Sequence, residues 1–367
     1  MKRLLTGGEA VAHAMAQIDP DVVPVYPITP QTPIIQVFSK LHAEGRAHTE
    51  IVNVESEHSA MSAAIGSALA GARTITATSS QGLALMAEVV YIAAAMRAPI
   101  VMAVGNRALS GPINIHCDHS DSMLIRDSGV IQLFVENAQE AYDTMVYAPT
   151  LAEHPDVLLP VLVCQDGFTI THSAEPVELL PDERVREIVG DYRIPFSLLD
   201  TSRPTTHGPF AMPDYYYELR HQQVVAMDAA LELLEADGRT VERYRLDGAH
   251  TALVCMGSTA GTAKDVVDEL DGVGILRIES YRPFPEREIR EALEHVDDVI
   301  VLDRANAPGS QAPLYTELAA TLYGSGARIR SHVFGLGGRE LHPEDIERII
   351  AGDAERFVGL RGAACRV

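Results

Sequence analysis

Short apolar segments that end in turn residues alternate with helical patterns along most of this sequence, and this alternation restricts the fold more than any other feature. VVPVYPI, RTITATS, APIVMAVG and VLLPVLVCQDG have the composition of buried strands. EHSAMSAAIGSALAGA predicts a helix of small residues that starts next to Glu57. Apolar strands separated by helices are typical of a parallel sheet covered by helices. The sequence therefore predicts an α/β fold.

A second series of the same kind occupies the C-terminal part of the chain. The strand-like segments TALVCMGS, GVGILRIES, DDVIVLDRA and RIRSHVFGLGG are separated by helical patterns. A chain of 367 residues also exceeds the size at which one hydrophobic core usually stops growing. We predict two domains, residues 1–245 and 246–367. The first includes an ordered connector rich in Pro and Tyr from about residue 191, followed by a helix over residues 224–244.

The charge balance restricts the partners. A formal net charge of −22 argues against nucleic acid, whose phosphates need a basic surface, and against an anionic membrane. Charged and polar residues interrupt the N-terminal apolar stretch, so no signal-peptide core is predicted. No segment approaches the roughly 18 to 20 apolar residues that a membrane-spanning helix needs. We therefore predict a cytoplasmic protein.

Several common motifs are missing from the sequence. Cys117, Cys164, Cys255 and Cys365 form no C-x-x-C pair, so we predict free thiols and neither a zinc site nor an iron–sulfur cluster in this chain. The dinucleotide fingerprint, the phosphate loop and the G-x-S-x-G elbow are also absent. The G-D-G…Asn signature that holds magnesium and the diphosphate of thiamine diphosphate is missing too, since QDGF lacks the preceding Gly.

Polar residues concentrate where the strands of the first series end. In a parallel sheet, ligands bind outside the carboxyl ends of the strands. The prolines of YPITP end the first strand abruptly and fix the position of the hydroxyl residue between them. An arginine at such a strand end suits a carboxylate, which it binds with two parallel hydrogen bonds. The candidate residues are Thr29, Glu55, Glu57, Ser79, Ser80, Gln81 and Arg107.

Taken together and in this order, YPITPQT, VESEHSA, TSSQGL and GNRALSGPINIHCDHSD resemble the α-subunit of the 2-oxoacid:ferredoxin oxidoreductases, the family of pyruvate:ferredoxin oxidoreductase. The later segments SYRPFP, VLDR and FGLGGRE are similar to that family's second domain. The resemblance covers almost the whole chain. It implies a pyrimidine-type thiamine-diphosphate-binding domain with a parallel sheet, followed by a transketolase C-terminal-like α/β domain.

The resemblance also implies an activity and partners. The family catalyses oxidative decarboxylation of a 2-oxoacid with thiamine diphosphate, passing the acyl group to coenzyme A and electrons through iron–sulfur clusters to ferredoxin. It implies that a β-subunit holds the diphosphate and Mg²⁺, and that γ- and δ-type subunits or further domains hold the clusters. This chain would then provide half of an active site and bind no metal itself.

The family's functional residues match particular positions here. Glu57 matches the glutamate that hydrogen-bonds the aminopyrimidine ring of the cofactor, with Glu55 as the structural alternative. Thr29 matches a residue that contacts the substrate, and Arg107 matches the arginine that binds the substrate carboxylate. Three residues of the next strand end are expected to line the same cavity and contact the cofactor: Ser80, Gln81 and Gly82.

Other polar residues have either a local or a functional interpretation. Asn114, His116, Asp118 and His119 provide polar contacts in the site or only satisfy the backbone of a turn. In the second domain, structural or interface roles are favoured for Arg282, Asp303 and Arg339.

The substrate is open among several 2-oxoacids. Pyruvate is the first expectation, and a branched-chain 2-oxoacid or an arylglyoxylate is the alternative within the family. A noncatalytic assembly subunit is a further alternative, against which the joint presence of Thr29, Glu57 and Arg107 argues. A self-sufficient thiamine enzyme is disfavoured by the missing diphosphate motif.

Overall fold

The apolar segments of the first series form the centre of a seven-stranded sheet in the computed structural model, which describes residues 1–362. Its strand order is β12-β6-β7-β5-β4-β2-β3, and every pair except β12 with β6 is parallel. Its strands are β2 (Val22–Val25), β3 (Glu50–Asn53), β4 (Thr74–Thr78), β5 (Ile100–Asn106), β6 (Ile131–Phe134), β7 (Val161–Asp166) and β12 (Ser280–Arg282). A separate antiparallel pair joins β1 (Lys2–Thr6) to β8 (Ala174–Glu178).

Nine helices accompany this part of the described chain. They are α1 (Gly7–Ile18), α2 (Thr32–Ala43), α3 (Glu57–Ala70), α4 (Ser80–Leu85), α5 (Ala87–Ala95), α6 (Ser120–Leu124), α7 (Ala138–Ala152), α8 (Asp182–Val189) and α9 (Pro213–Ala236). The helices α1, α2 and α7 share a core with one face of the sheet, and α3 and α5 share a core with the other face. Because both faces are covered, the strands carry nearly continuous apolar runs.

The second series forms a five-stranded sheet in the order β14-β13-β10-β11-β9, in which only β9 is antiparallel. Its strands are β9 (Val241–Tyr244), β10 (Thr251–Cys255), β11 (Val273–Ile278), β13 (Asp298–Asp303) and β14 (Arg328–Val333). Its helices are α10 (Thr259–Val267), α11 (Glu286–Leu293), α12 (Pro313–Thr321) and α13 (Pro343–Ala351). The division of the chain at residue 245 stays a prediction.

Residues of the second series complete the first sheet. Strand β12 follows β11 directly and pairs antiparallel with β6, so it covers the edge of the seven-stranded sheet. Tyr281 of β12 is fully buried and lies edge-on to Phe134 of β6. The two sheets are therefore joined by backbone hydrogen bonds as well as by side chains.

The prediction of a helix over residues 224–244 was wrong at both ends. Helix α9 begins at Pro213, because proline is favoured in the first turn, and it ends at Ala236 before Gly238, whose φ is +64°. The segment VERY, with its β-branched and aromatic residues, is strand β9 instead.

The tyrosines at the start of α9 are exposed. The exposed fractions of Tyr215, Tyr216 and Tyr217 are 67%, 60% and 77%. No helix of the described chain has the length and apolar character that crossing a membrane requires.

Candidate active site

The predicted site residues lie at the carboxyl ends of parallel strands of the first sheet, at the point where the strand order reverses. Strand β2 is followed in sequence by β3 on one side of it, whereas the next strand, β4, lies on its other side. The loops after β2 and β4 therefore diverge and leave a crevice outside their carboxyl ends, which is where open α/β sheets bind ligands. Thr29 follows β2, and residues 79–82 follow β4.

Glu57 is the first residue of α3, held in place by the N-cap of that helix. Ser56 has extended backbone angles, and its hydroxyl accepts a hydrogen bond from the backbone N–H of Ser59. The Glu57 side chain is 8% exposed. Among residues 1–362, no group forms a hydrogen bond to its carboxylate and no cation pairs with it. A nearly buried carboxylate of this kind is costly unless a ligand or partner binds it.

The segment after β4 contacts Glu57 through a glycine. A Cβ atom added to Gly82 would lie 2.7 Å from Glu57 Cγ and 2.8 Å from Glu57 Oε1. The glutamate side chain thus lies against the bare Cα of Gly82, and no larger residue fits there. This contact brings two of the predicted cofactor residues together.

Ser80 has an unusual backbone conformation. Its φ is +46°, a region that non-glycine residues rarely adopt and that clusters at functional sites. Its Oγ lies 2.6 Å from the carbonyl oxygen of Ala108 and 2.7 Å from Gln81 Oε1. Gln81 Nε2 is buried and has no hydrogen-bond partner among the described residues. This turn therefore leaves an amide group unsatisfied in the same segment that contacts Glu57 through Gly82.

Arg107 lies directly after β5 and reaches the loop after β2. Its Nη1 donates a hydrogen bond of 2.9 Å to the carbonyl oxygen of Thr29, and its Nε donates one of 2.7 Å to the carbonyl of Asn114. Only 5% of the residue is exposed, and no carboxylate among the described residues forms an ion pair with it. Burial lowers the pKa of the guanidinium from its ordinary value, while Asp121 opposes that change. Since a guanidinium has five N–H groups, donors remain for an anion.

The Thr29 side chain itself is exposed and has no hydrogen-bond partner among the described residues. Pro30, its neighbour, packs over the sheet, because a Cβ on Gly105 would lie 3.3 Å from Pro30 Cγ and 3.2 Å from Ser79 Oγ. The hydroxyl of Thr29 is therefore presented outward from a tightly packed turn.

Asp121 holds the loops at the carboxyl ends of these strands in place, and it was not among the residues predicted from the sequence. Its fully buried carboxylate accepts hydrogen bonds from the backbone N–H groups of Ser80 (2.9 Å) and Arg107 (3.0 Å) and from Asn106 Nδ2 (2.9 Å). Burial raises its pKa to about 6, although these hydrogen bonds favour the ionised form. One carboxylate thus fixes the strand ends that place Ser80 and Arg107.

The alternative residues lie elsewhere. Glu55 is exposed and accepts a hydrogen bond of 2.7 Å from Ser59 Oγ, which is a local helix-start contact. Asp118 accepts hydrogen bonds from the backbone N–H of Ser120 and from that of Gly337 in the second series. Asn114 Nδ2 donates to the carbonyl of the same Gly337. These loop residues therefore join the two parts of the chain.

His119 belongs to a buried ionic cluster around Asp166, at the end of β7. Asp166 lies 2.7 Å from His119 Nε2 and accepts hydrogen bonds from Arg304 Nη1 (2.9 Å) and Ser258 Oγ (2.5 Å). Burial opposes ionisation of Asp166, but the charges of Arg304 and His119 hold its pKa far below the usual range. Cys117, His119 and Asp166 are close enough to share a metal ion, yet the Arg304 cation already neutralises this carboxylate. The cluster is therefore an ion-pair network that joins the two sheets.

The second-domain residues make structural contacts. Asp303 accepts hydrogen bonds from the backbone N–H groups of Leu314 and Tyr315 at the start of α12, and burial raises its pKa to about 7. Arg282 pairs with Glu317 at 2.5 Å, and Arg339 donates to the carbonyl of Gly359. Of the cysteines, Cys117, Cys164 and Cys255 are buried free thiols, and Cys365 lies outside the described residues.

Comparison with known proteins gives two family matches. Residues 13–236 match the model described as pyruvate flavodoxin/ferredoxin oxidoreductase, thiamine diphosphate-binding. Residues 249–346 match that of pyruvate:ferredoxin oxidoreductase core domain II.

Curated relatives resemble the chain over nearly its full length. The pyruvate synthase subunit PorA of Thermotoga maritima is 52% identical, with 97% of each chain covered. The subunit of the same name from Methanocaldococcus jannaschii is 45% identical, with 98% of each covered. The ketoisovalerate oxidoreductase subunit VorA of Pyrococcus abyssi is 37% identical, covering 98% of this chain and 94% of the relative.

Among solved structures, a 2-oxoglutarate:ferredoxin oxidoreductase from Magnetococcus marinus with 2-oxoglutarate, coenzyme A and succinyl-CoA bound superimposes with a TM-score of 0.77 at 20% identity. The match covers 96% of this chain and 65% of that chain. At this identity the likeness concerns the fold alone. The predicted α/β fold, with a parallel-sheet domain of the thiamine-diphosphate-binding type, is confirmed.

Proposed function

This chain belongs to the pyruvate flavodoxin/ferredoxin oxidoreductase family, and we propose that it is the thiamine-diphosphate-binding α-subunit of a pyruvate synthase. The reaction converts pyruvate, coenzyme A and two oxidised ferredoxins into acetyl-CoA, CO₂, one proton and two reduced ferredoxins. The chain is an oxidoreductase subunit that acts within a multi-subunit complex.

Sequence identity favours pyruvate among the 2-oxoacids. The pyruvate synthase subunits of T. maritima and M. jannaschii are 52% and 45% identical to this chain, against 37% for the ketoisovalerate oxidoreductase subunit. Branched-chain 2-oxoacids are therefore the second candidate.

The single observation that supports the catalytic assignment is the Glu57 carboxylate. It is 8% exposed and unpartnered among the described residues, and it lies against Gly82, next in sequence to Gln81, whose buried Nε2 is also unpaired among the described residues. A carboxylate acceptor in this position fits a ring that carries a protonated nitrogen, as an aminopyrimidine does. When bound, thiamine diphosphate supplies the electron sink for decarboxylation. Glu57 would hold the proton at the ring nitrogen, and the bare Cα of Gly82 leaves room for its side chain.

Arg107 and Thr29 fit the substrate. The Arg107 guanidinium is buried, has no carboxylate partner among the described residues and retains free N–H groups. A carboxylate of the 2-oxoacid would satisfy them with two parallel hydrogen bonds. The outward hydroxyl of Thr29 would donate a hydrogen bond to the same molecule. Both residues orient the substrate so that its carboxylate leaves as CO₂.

Partner subunits complete the site in this proposal. A β-subunit would hold Mg²⁺ and the diphosphate, and γ- and δ-type subunits would provide the iron–sulfur clusters and the path to ferredoxin. The support is the missing G-D-G signature and the wide separation of the cysteines in the sequence. A cytoplasmic location stays a prediction from the sequence.

The proposal is tested by copurifying the native complex and supplying it with pyruvate, 2-oxoisovalerate, 2-oxoglutarate and phenylglyoxylate. The readout is reduction of a low-potential dye that depends on both the 2-oxoacid and coenzyme A. We expect the highest kcat/KM with pyruvate. A highest value with 2-oxoisovalerate would assign the branched-chain substrate, and no coenzyme-A-dependent reduction with any 2-oxoacid would refute the function.

A further inference from the structure

The turn after β2 packs on strands that are not its neighbours in the sheet. In the order β7-β5-β4-β2, one strand separates β2 from β5 and two separate it from β7. Pro30 nevertheless lies over Gly105 near the end of β5 and over Gly167 directly after β7. Pro30 is buried, whereas Thr29 before it is exposed. The place of the Thr29 hydroxyl therefore depends on the ends of β5 and β7.

The Pro30 seat, formed by Gly105 and Gly167, has little room for side chains. A Cβ atom added to Gly105 would lie 3.3 Å from Pro30 Cγ, and one added to Gly167 would lie 2.9 Å from the same atom. Carbon atoms in contact are normally about 3.5 to 4.0 Å apart. Neither glycine has a positive φ, so the backbone conformation of the seat does not itself require glycine. The close approach of the proline ring is therefore a reason for glycine at both positions.

The seat is fixed to both sheets by hydrogen bonds. The Gly167 N–H donates one of 3.0 Å to the carbonyl oxygen of Asn106, the last residue of β5. The carboxylate of Asp166, just before Gly167, accepts hydrogen bonds from Ser258 Oγ (2.5 Å) and Arg304 Nη1 (2.9 Å) of the second series. Because the strand ends under the ring are held in this way, a group that pushes on the ring displaces the turn.

A displaced Pro30 ring moves Thr29 as well. The ring nitrogen of Pro30 is bonded to the carbonyl carbon of Thr29, and this peptide group is planar. From the other side, Arg107 Nη1 donates its hydrogen bond of 2.9 Å to the carbonyl oxygen of the same peptide group. One peptide group is thus held between the Pro30 seat and the arginine of the proposed substrate site. A small shift of the ring therefore changes the direction of the Thr29 hydroxyl.

We propose that Gly105 and Gly167 are positioning residues for the 2-oxoacid, because they hold Pro30 and thereby set the place of the Thr29 hydroxyl. The inference rests on the proposed function, in which that hydroxyl donates a hydrogen bond to the substrate. The two glycines do not touch the substrate and act only through Pro30. A role in packing alone would change stability and leave the KM for the 2-oxoacid unchanged.

The test is the KM for pyruvate of the assembled complex that carries Gly105→Ala, measured by coenzyme-A-dependent dye reduction. The contacts of the new methyl group, with Pro30 Cγ and with Ser79 Oγ at 3.2 Å, require only a small shift of these groups. Because small displacements of groups that orient a substrate are costly, we expect the KM to rise about tenfold. The control is Gly66→Ala on α3, where no atom lies within 4 Å of the new Cβ, and its KM should equal that of the wild type.

Two double-mutant cycles identify the route of this effect. Pro30→Ala removes Cγ, the atom that the new methyl group meets, and should itself raise the KM because the turn loses its contact with the seat. In that background, and in Thr29→Val, which lacks the hydroxyl, Gly105→Ala should change the KM by about twofold or less. Pro30→Ala introduces no clash, so its KM decides the question if the Gly105→Ala complex does not assemble.

The wild-type complex separates failure of this inference from failure of the proposed function. If the wild type reduces the dye with pyruvate and both Gly105→Ala and Pro30→Ala keep its KM, only the positioning role is wrong. Effects of Gly105→Ala and Thr29→Val that simply add would also overturn it, since the two residues would then act independently. If the wild type reduces no dye with any 2-oxoacid, the proposed function is wrong and the positioning role with it.

Discussion

Arg107 Nη1 donates a hydrogen bond of 2.9 Å to the carbonyl oxygen of Thr29, so the loops after β5 and β2 are fixed to each other. The cation is held by backbone carbonyls and not by a carboxylate, which leaves its charge available. The position of the proposed substrate carboxylate therefore depends on the same side chain that positions the Thr29 turn.

Replacement of Arg107 by lysine should weaken substrate binding strongly. An ammonium group is a point charge, so it cannot keep the two carbonyl contacts and also bind a carboxylate bidentately. We expect the KM for the 2-oxoacid to rise about tenfold or more, measured by dye reduction with the assembled complex. Arg186→Lys on the exposed side of α8 is the control and should leave KM unchanged. An unchanged KM in Arg107→Lys would exclude a carboxylate-binding role.

Glu57→Gln should nearly abolish turnover and leave the fold intact. The amide keeps the shape of the side chain but cannot exchange a proton with a ring nitrogen. We expect kcat to fall by about a hundredfold or more, with an unchanged melting temperature. The control Glu55→Gln changes an exposed carboxylate two residues earlier and should retain wild-type kcat. The assignment fails if the two variants have equal rates.

Gly82→Ala should impair catalysis through Glu57. The new methyl group would lie 2.5 Å from Thr78 Oγ1 and 2.7 Å from Glu57 Cγ, so the glutamate must move. Because small displacements of catalytic groups cost about a hundredfold, we expect a fall in kcat of that order. Gly66→Ala on α3 has no atom within 4 Å of the new Cβ and should be neutral or stabilise by about 0.5 to 1 kcal/mol. Equal activity of both variants would contradict the Gly82 contact.

Asp121 should affect the pH dependence of stability. Burial raises its pKa from 3.8 to about 6, so the unfolded chain releases this proton at a lower pH than the folded chain does. The free energy of unfolding should therefore fall by about 3 kcal/mol as the pH rises from about 4 to about 6. Asp121→Asn should lack this contribution.

The free energies of unfolding of the wild type and of Asp121→Asn are measured by urea unfolding at several pH values. The difference between the two slopes of this free energy against pH gives the contribution of Asp121. Asp121→Asn also replaces an acceptor of the Ser80 and Arg107 N–H groups by an amide, so the KM for the 2-oxoacid should rise in the complex. Parallel pH profiles of stability would show that Asp121 is not the titrating group.

Asp166→Asn should destabilise the junction of the two sheets. The change leaves the Arg304 cation buried without its partner carboxylate, and such losses cost about 3 to 5 kcal/mol. Urea unfolding measures the effect. Glu187→Gln breaks an exposed pair with Arg184 and should change stability by about 0.5 kcal/mol or less. If Asp166→Asn also changes the free energy of unfolding by only about 0.5 kcal/mol or less, the cluster does not stabilise the junction of the two sheets.

Local patterns in the sequence predicted much of this arrangement. The apolar segments located the parallel strands. The polar residues that follow these strands lie close together because parallel strands have their carboxyl ends on the same side of the sheet. This geometry is why Thr29, Ser80 and Arg107 lie in neighbouring loops. The start of α3 at Glu57 also follows from its serine N-cap.

What the sequence could not predict depends on contacts between distant segments. Asp121 looks like any polar residue of a turn, and only the folded chain brings Ser80 and Arg107 to its carboxylate. The prediction of a helix over residues 224–244 was wrong because VERY forms a strand, and its antiparallel pairing with β11 is a tertiary contact. The ionic cluster of Asp166 with Arg304 joins residues 138 positions apart, and no local pattern marks it.

The antiparallel pairing of β12 with β6 has a consequence for biosynthesis. The edge strand β6 lies near residue 131, but the segment that covers it is synthesised about 150 residues later. Until then β6 presents unpaired N–H and C=O groups, and exposed strand edges of this kind promote association between chains. Ribosome-bound intermediates and fragments that end before residue 280 should therefore aggregate more readily than the complete chain.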